Sequence, residues 1–188
     1  MYHIKKDKRC LKSAERISGA LRGLLAEKSL ADITVTDIQR ASGTGRSTFY
    51  RLFDNIDDVL LYLAEEEFRG MVKSYMELSW KAFTGGFIAV IVEESRELAN
   101  IVASGKAAVV SKALRSELIR EAQKQHIKFD DRSRYMISIF VGGCISMVSA
   151  WDENGRKESL EELTEIMHRT FDYAQIEKTL SRKEEGVE

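Results

Sequence analysis

The sequence predicts an all-α fold of about nine helices, with a small helical head followed by a larger helical body. Three observations carry this. Proline is absent from all 188 residues, whereas sandwiches and barrels commonly place it in their turns. Apolar residues recur at three- and four-residue spacing in one segment after another, the period of a helix with one buried face. Capping residues and glycines punctuate those segments where helices should start and stop. With 44% hydrophobic and 31% charged residues, the chain can bury a sizeable core.

The elements follow in order. Leu11, Ala14, Ile17, Leu21, Leu24 and Leu25 form one stripe, with Lys12, Arg16 and Arg22 off it, predicting a first helix over about Lys8 to Glu27. Thr34-Val-Thr-Asp37 has the form of a capping box, in which the threonine hydroxyl accepts a backbone N–H and the acid reaches back. A second helix is expected from Val35 to Ala41, stopped by Ser42-Gly43-Thr44-Gly45, because glycine takes the left-handed conformation of a tight helix exit. A third runs from about Arg46 to Leu52. Asp54-Asn55 caps a long fourth, expected to end near Trp80, with Asp57 and Asp58 at its positive end. Further helices are expected around Phe83 to Val92, Arg96 to Ala103, Ala107 to Gln125 and Arg132 to Asp152. A last one, capped by Ser159-Leu-Glu-Glu162, runs from Ser159 to about Leu180.

Charge is unevenly divided. Through Arg51 the chain has eleven basic and five acidic side chains, a net of +6; the remainder has eighteen and twenty-five, a net of −7. A basic head on an acidic body suits a polyanionic partner. Cys10 and Cys144 stand far apart and form no C-x-x-C, so reduced thiols are expected. No apolar segment follows the basic MYHIKKDKRC, and runs such as FIAVIV at Phe87 to Val92 are too short for a bilayer. A cytoplasmic protein without a membrane segment is expected.

The stretch ASGTGRSTFYRLFDN decides the function class. Its glycines suggest a phosphate-cradling loop, but Thr48 stands where the third glycine of a dinucleotide fingerprint belongs, and the P-loop lysine is missing. A capped helix precedes it rather than a strand. Helix, glycine turn and short polar helix form instead a helix-turn-helix, whose second helix enters the DNA major groove. Arg46 can take guanine bidentately; Ser47, Thr48, Tyr50 and Arg51 can bond bases or phosphates. Phe49 and Phe53 anchor the inner face. A structural helical hairpin with a polar surface is the alternative from these residues alone.

The stretch ITVTDIQRASGTGRSTFYRLFDNIDDVL closely resembles the DNA-binding domain of the tetracycline-repressor (TetR) family. The likeness includes the amphipathic helix before it and covers roughly residues 8 to 62. It is carried by the T-V-x-D-I start, the alanine and glycine of the turn, T-F-Y-x-x-F, and the start of the next helix. The resemblance implies a helix-turn-helix domain over 1–54 and a ligand-binding and dimerisation domain over 55–188. It implies a DNA-facing set of Thr34, Thr36, Gly45, Arg46, Ser47, Thr48, Tyr50 and Arg51, with Thr36 on the DNA backbone and Tyr50 on a phosphate. Two residues depart from the family pattern: Ile56, where a lysine is frequent, and Leu52, where an aromatic or histidine is frequent. Each departure removes a phosphate contact, which Arg51 and the arm residues Lys5, Lys6, Lys8 and Arg9 can offset.

The resemblance also implies a small-molecule effector and a homodimer built on the last two long helices. Candidate effector-binding residues are Phe68, Met71, Tyr75, Phe87, Ile91, Met136, Phe140 and Cys144; ordinary core is the other reading of each. Gly142-Gly143 lies inside a helix, where close approach of a neighbouring element would justify it. Ile137, Val141, Ile145, Val148, Ile166, Phe171 and Tyr173 are the expected interface. Glu165-Ile-Met-His168 has the E-x-x-H spacing of di-iron bundles, but those need two such motifs and two further glutamates. No metal site, cofactor or enzymatic activity is expected. The expectation is therefore a DNA-binding regulator, by family habit a repressor, that holds a near-palindromic operator as a homodimer and is released by a small molecule. The rival is a helical ligand-binding or interaction protein with weakened DNA binding.

Overall fold

A computed structural model describes residues 2–5, 7–76, 79–90, 96–124 and 130–180. These residues are all-α, with no strand among them, as the sequence predicts.

The head is three helices around one apolar knot. α1 (Lys8–Glu27) starts where the Asp7 carboxylate accepts the N–H groups of Arg9 and Cys10 at 3.1 and 2.9 Å. Its buried face is Ala14, Ile17, Ser18, Leu21 and Leu25, while Leu11, placed on the stripe by spacing, is 39% exposed. A 3-10 turn, Leu30–Asp32, leads to α2 (Val35–Ser42), which has the capping box its sequence promises. The Asp37 N–H donates to the Thr34 hydroxyl at 3.2 Å, and the Thr34 N–H donates to the Asp37 carboxylate at 3.0 Å. α3 (Arg46–Leu52) follows after Gly43, Thr44 and Gly45. Phe49, Leu52 and Phe53 are fully buried, and α1 packs on both α2 and α3.

α4 (Ile56–Met76) joins head to body. The Asn55 side chain accepts the Asp58 N–H at 3.1 Å, and the Asp58 carboxylate accepts the Asp54 N–H at 3.0 Å. The sequence placed its end near Trp80, but Ser79 starts a new helix, its hydroxyl accepting the Ala82 N–H at 3.1 Å. That helix is α5 (Trp80–Ala89). α6 (Arg96–Ile101) runs through a π turn, Val102–Lys106, in which Gly105 takes φ 75°. α7 (Ala107–Lys124) packs along α4, and α8 (Asp131–Glu153) along α7. α8 is 23 residues long, and an 18-residue stretch of it has mean hydropathy 1.3; among the described residues it is the one helix long and apolar enough to cross a bilayer. Its apolar stripe, Ile137, Phe140, Val141, Cys144, Ile145 and Val148, lies in the core of the bundle.

The expected last helix is two. α9 (Leu160–Thr170) starts in a capping box between Ser159 and Glu162 and stops at Phe171, whose backbone is extended at φ −104°, ψ 133°. α10 (Tyr173–Leu180) follows, with the Asp172 carboxylate accepting the Gln175 N–H at 3.1 Å. The break lets the Phe171 ring fold back onto α8, where it lies 5.1 Å from Phe140 and covers Gly143. A Cβ on Gly143 would stand 2.7 Å from that ring, so one of the two helix glycines has its close approach; Gly142 faces open space.

Candidate nucleic-acid interface

The turn of the head is held from behind. Gly43 sits at φ 62°, ψ 28°, the left-handed region that favours glycine. Its N–H donates to the Arg40 carbonyl at 3.3 Å, and the Thr44 N–H to the Gln39 carbonyl at 3.2 Å. From α1, the Arg16 guanidinium donates to the Ser42 carbonyl at 2.6 Å and reaches the Gly43 carbonyl at 3.4 Å. Arg16 therefore satisfies helix-end carbonyls that a tight turn leaves without partners. A Cβ on Gly43 would stand 2.8 Å from that guanidinium. Sequence placed Arg16 merely off the apolar stripe; nothing local says that it clasps a turn 26 residues away.

α3 has two faces. Phe49 and Leu52 are buried, and Phe53 just beyond packs its ring 6.0 Å from Phe49 and 5.9 Å from Tyr62. The other face is open: Gly45, Arg46, Ser47, Tyr50 and Arg51 are exposed and Thr48 is half-buried. Thr34 and Thr36 are exposed at the start of α2. The Arg46 guanidinium lies 5.4 Å from the centre of the Tyr50 ring, so the two are held as a pair on successive turns. Gly45 heads α3 without a side-chain cap and has open space around its missing Cβ. Its place at the helix start leaves backbone N–H groups accessible, the arrangement that accepts a phosphate.

The two departures differ in kind. Leu52 is fully buried, so its position faces the core and presents nothing to a phosphate. Ile56 is half-buried against that core. Lys5, Lys8 and Arg9 are exposed around the start of α1, and Lys6 lies outside the described residues. Arg51 is close enough to pull on the Cys10 thiol, which its hydrogen bond to Asp7 nonetheless raises above the ordinary cysteine range. The basic arm and the end of α3 are thus neighbours. Charge at the α2 start is fixed as well. The Thr34 hydroxyl and N–H, then Lys28 at 3.0 Å, hold the Asp37 carboxyl below the usual carboxylate range.

The arm is tied down by residues the sequence reading did not single out. The His3 N–H donates to the Leu52 carbonyl at 2.8 Å, and its ring nitrogen lies 3.1 Å from Asp54. The Tyr2 ring meets Phe53 and Tyr62 edge-on at 6.3 and 5.6 Å, and its hydroxyl donates to Glu65 of α4.

In the body, Phe68, Phe87, Phe140 and Cys144 are buried to 1% or less, Met71 is buried, and Met136 is half-buried. Phe68 and Phe87 meet at 5.9 Å, and Phe83 links them to Phe140 at 6.0 Å. Burial pushes the Cys144 thiol up to about 12. The Tyr75 side chain and Ile91 lie outside the described residues. Phe83 and Trp80, which complete this aromatic cluster, were absent from the expected set.

The expected interface needs correction. Ile137, Val141, Ile145 and Val148 are 4% exposed or less and belong to the chain's own core. The outward apolar residues are Tyr135 and Ile139 on α8, 71% and 68% exposed, and Ile166 on α9, 48% exposed; Phe171 and Tyr173 are half-buried. His168 bonds the Lys81 carbonyl at 3.2 Å and packs on Tyr173, while Glu165 pairs with Arg169 at 2.7 Å. Among the described residues no cluster of three or more metal-ligating side chains is present.

A helical bundle bearing a head with an anchored turn and an outward polar helix has the layout of a helix-turn-helix unit. Residues 106–173 match a TetR-type family model described as a transcriptional regulator C-terminal region. Three solved structures share the fold. A Listeria innocua protein aligns with TM-score 0.68 at 16% identity, over 89% of this chain and 93% of its own. A TetR transcriptional regulator from Streptococcus agalactiae gives 0.60 at 20%, over 88% and 96%. RolR in complex with resorcinol gives 0.57 at 16%, over 92% and 95%. No curated protein matches the chain by sequence. The body's family match and the shared fold support the TetR family, the family the motifs of the head resemble.

Proposed function

We propose that the protein is a DNA-binding repressor that holds a near-palindromic operator as a homodimer and releases it when a small molecule enters the body. The observation that carries this is the division of α3: Phe49 and Leu52 are fully buried while Arg46, Ser47, Tyr50 and Arg51 stand in solvent. That face presents two guanidiniums and the hydroxyls of Ser47 and Tyr50 together, the groups that contact bases and phosphates. Two-fold protein symmetry imposes a two-fold site, so two such helices read two half-sites. The partner surface we assign is the outward stripe of Tyr135, Ile139 and Ile166, large apolar side chains that a monomer leaves in water.

The effector site we assign to the aromatic cluster of Phe68, Phe87 and Phe140, with Met71, Met136 and Cys144 beside it. RolR, a protein of the same fold, is known with resorcinol bound, which supports an aromatic or similarly apolar molecule here. The effector acts only through its different affinity for DNA-competent and DNA-incompetent conformers. The cytoplasm is the compartment this reading requires.

Fluorescence anisotropy with DNA from upstream of the gene tests the reading. Binding should weaken steeply with added salt, because each neutralised phosphate releases counterions. Arg46→Ala should weaken it by about tenfold, the scale of one lost bidentate base contact. Salt-insensitive binding, or none to any sequence selected from a random pool, would count against a DNA-binding regulator.

A further inference from the structure

A further cleft of the body opens between α7 and α8. Its volume is about 270 Å³, and it is lined by Lys112, Arg115, Ser116, Ile119, Arg134, Ile137 and Ser138. Ile137 is 2% exposed and Ile119 half-buried, giving the cleft an apolar floor. Its walls are three cations and two hydroxyls, from two different helices.

The three cations of the cleft have no carboxylate partner among the described residues, so their charge faces the cleft uncompensated. Arg69, Lys106, Arg120, Lys124, Arg156 and Arg169 each stand within ion-pair distance of an acidic side chain. Among the described residues, Lys112, Arg115 and Arg134 have no such partner, although the body is acidic overall. The acidic groups nearest in sequence form no ion pair with them. Asp130 caps α8 through Ser133 at 2.7 Å, Glu117 pairs with Arg120, and Asp131, one turn before Arg134, is exposed and forms no ion pair with it. The hydroxyls of Ser116 and Ser138 also bond nothing among the described residues. By contrast, Ser104 and Ser149 donate to their own helix carbonyls.

We propose that this cleft is an anion site whose ligand is a phosphate dianion, either the free ion or the headgroup of a small phosphomonoester. Two guanidinium forks, an ammonium and two hydroxyls make a set dominated by donors. A single carboxylate has two oxygens to answer it, whereas a phosphate has three or four and is the preferred partner of paired arginines. A cleft lined by one sign of charge over a low-dielectric floor concentrates its field on an entering anion. The volume leaves room for a phosphate and several waters, each of which takes about 30 Å³ in the liquid.

Isothermal titration of the full chain, without DNA and at ionic strength held with sodium chloride, tests this. The probes are inorganic phosphate and glycerol phosphate; the variants are Arg115→Gln with Arg134→Gln, and Ser138→Ala. Saturable binding to one site per chain is expected, weakened at least about tenfold in the double variant, which loses two charge-assisted bonds. Tighter binding of glycerol phosphate assigns the headgroup of an ester; equal or weaker binding assigns the free ion. The cations have no internal partner to lose, so the double variant should keep the unfolding midpoint and oligomeric state of the parent. Thermal unfolding in phosphate separates specific binding from general salt stabilisation, which raises parent and variant alike. No saturable heat in the parent, or the same heat in the folded double variant, would overturn the proposal. The outcome is independent of DNA binding, which is not part of the measurement.

Discussion

At the residue scale, the head depends on one glycine and one arginine that meet across 27 residues. Gly43 is needed twice, for its left-handed backbone and because a Cβ would press on Arg16. Gly43→Ala should therefore destabilise the chain by about 1–2 kcal/mol, the cost of a left-handed conformation for an L-residue, more if the Arg16 clasp is displaced. Urea unfolding measures this, and an unchanged midpoint would show that the turn tolerates a side chain. The glycine was legible, because a glycine after a capped helix signals a tight exit. The arginine was not, since its partners are backbone carbonyls, which have no signature in sequence. Tyr50 makes a separate, functional prediction. Its ring steadies Arg46 while its hydroxyl is free to meet a phosphate. Tyr50→Phe keeps the ring and loses the hydroxyl, so DNA affinity should fall several-fold, the size of one hydrogen bond, with little change in the unfolding midpoint.

At the scale of elements, the helix starts with a capping signal were read correctly because their causes are local, whereas α5 starts at Trp80 rather than Phe83 and the start of α10 was not foreseen. Thr34 with Asp37, Ser159 with Glu162 and Asn55 each act within a few residues. Two other readings failed because their causes are not local. The last helix divides where Phe171 turns to dock over Gly143, a contact between elements 28 residues apart. On α8 the apolar residues wrap so far around the helix that periodicity does not tell Ile137 and Val141, which are core, from Tyr135 and Ile139, which face out. The α2 start makes a pH prediction. The bonds from Thr34 and Lys28 depress the Asp37 carboxyl in the folded chain. A depressed carboxyl contributes stability above its unfolded value and loses it as pH falls through the folded one. Asp37→Asn should therefore be less stable than the parent at pH 7, and the gap should close on acidification below about pH 4, near the unfolded carboxyl's value. Unfolding midpoints at pH 7, 5 and 3 check this; a gap that does not narrow would show that Asp37 acts by shape rather than charge.

At the scale of the molecule, a polar seam runs from the exposed arm to the buried acids of α4 and α7. The arm bonds the end of α3 through His3, and Tyr2 carries on to Glu65 on α4. Glu65 faces Glu117 of α7, with Arg120 within 3.8 Å of Glu65 and 2.5 Å of Glu117, and Arg69 3.8 Å from Glu117. Glu117 is 3% exposed, and its Oε1 has no hydrogen bond despite the close arginine. Burial outweighs the pull of Arg120 and Arg69, so its carboxyl stands above the ordinary glutamate range. An acid raised in the folded chain has its full contribution to stability below the unfolded value and loses it as pH rises through the folded one. The charge is thus a liability at neutral pH. Removing one partner of a buried ion pair commonly costs about 3–5 kcal/mol, because it strands the other charge. Here the stranded arginines are 45% and 38% exposed and keep Glu66 and Glu65 as neighbours, so that penalty does not apply. Glu117→Gln should therefore leave the chain as stable as the parent or more so at pH 8, by a margin on the order of 1 kcal/mol. The margin should shrink as pH falls to 4.5 and below, where the raised carboxyl protonates first. Urea midpoints at both pH values measure it. A variant markedly less stable at pH 8 would mean that the charge holds α4 to α7 through Arg69 and is an ion pair the fold depends on.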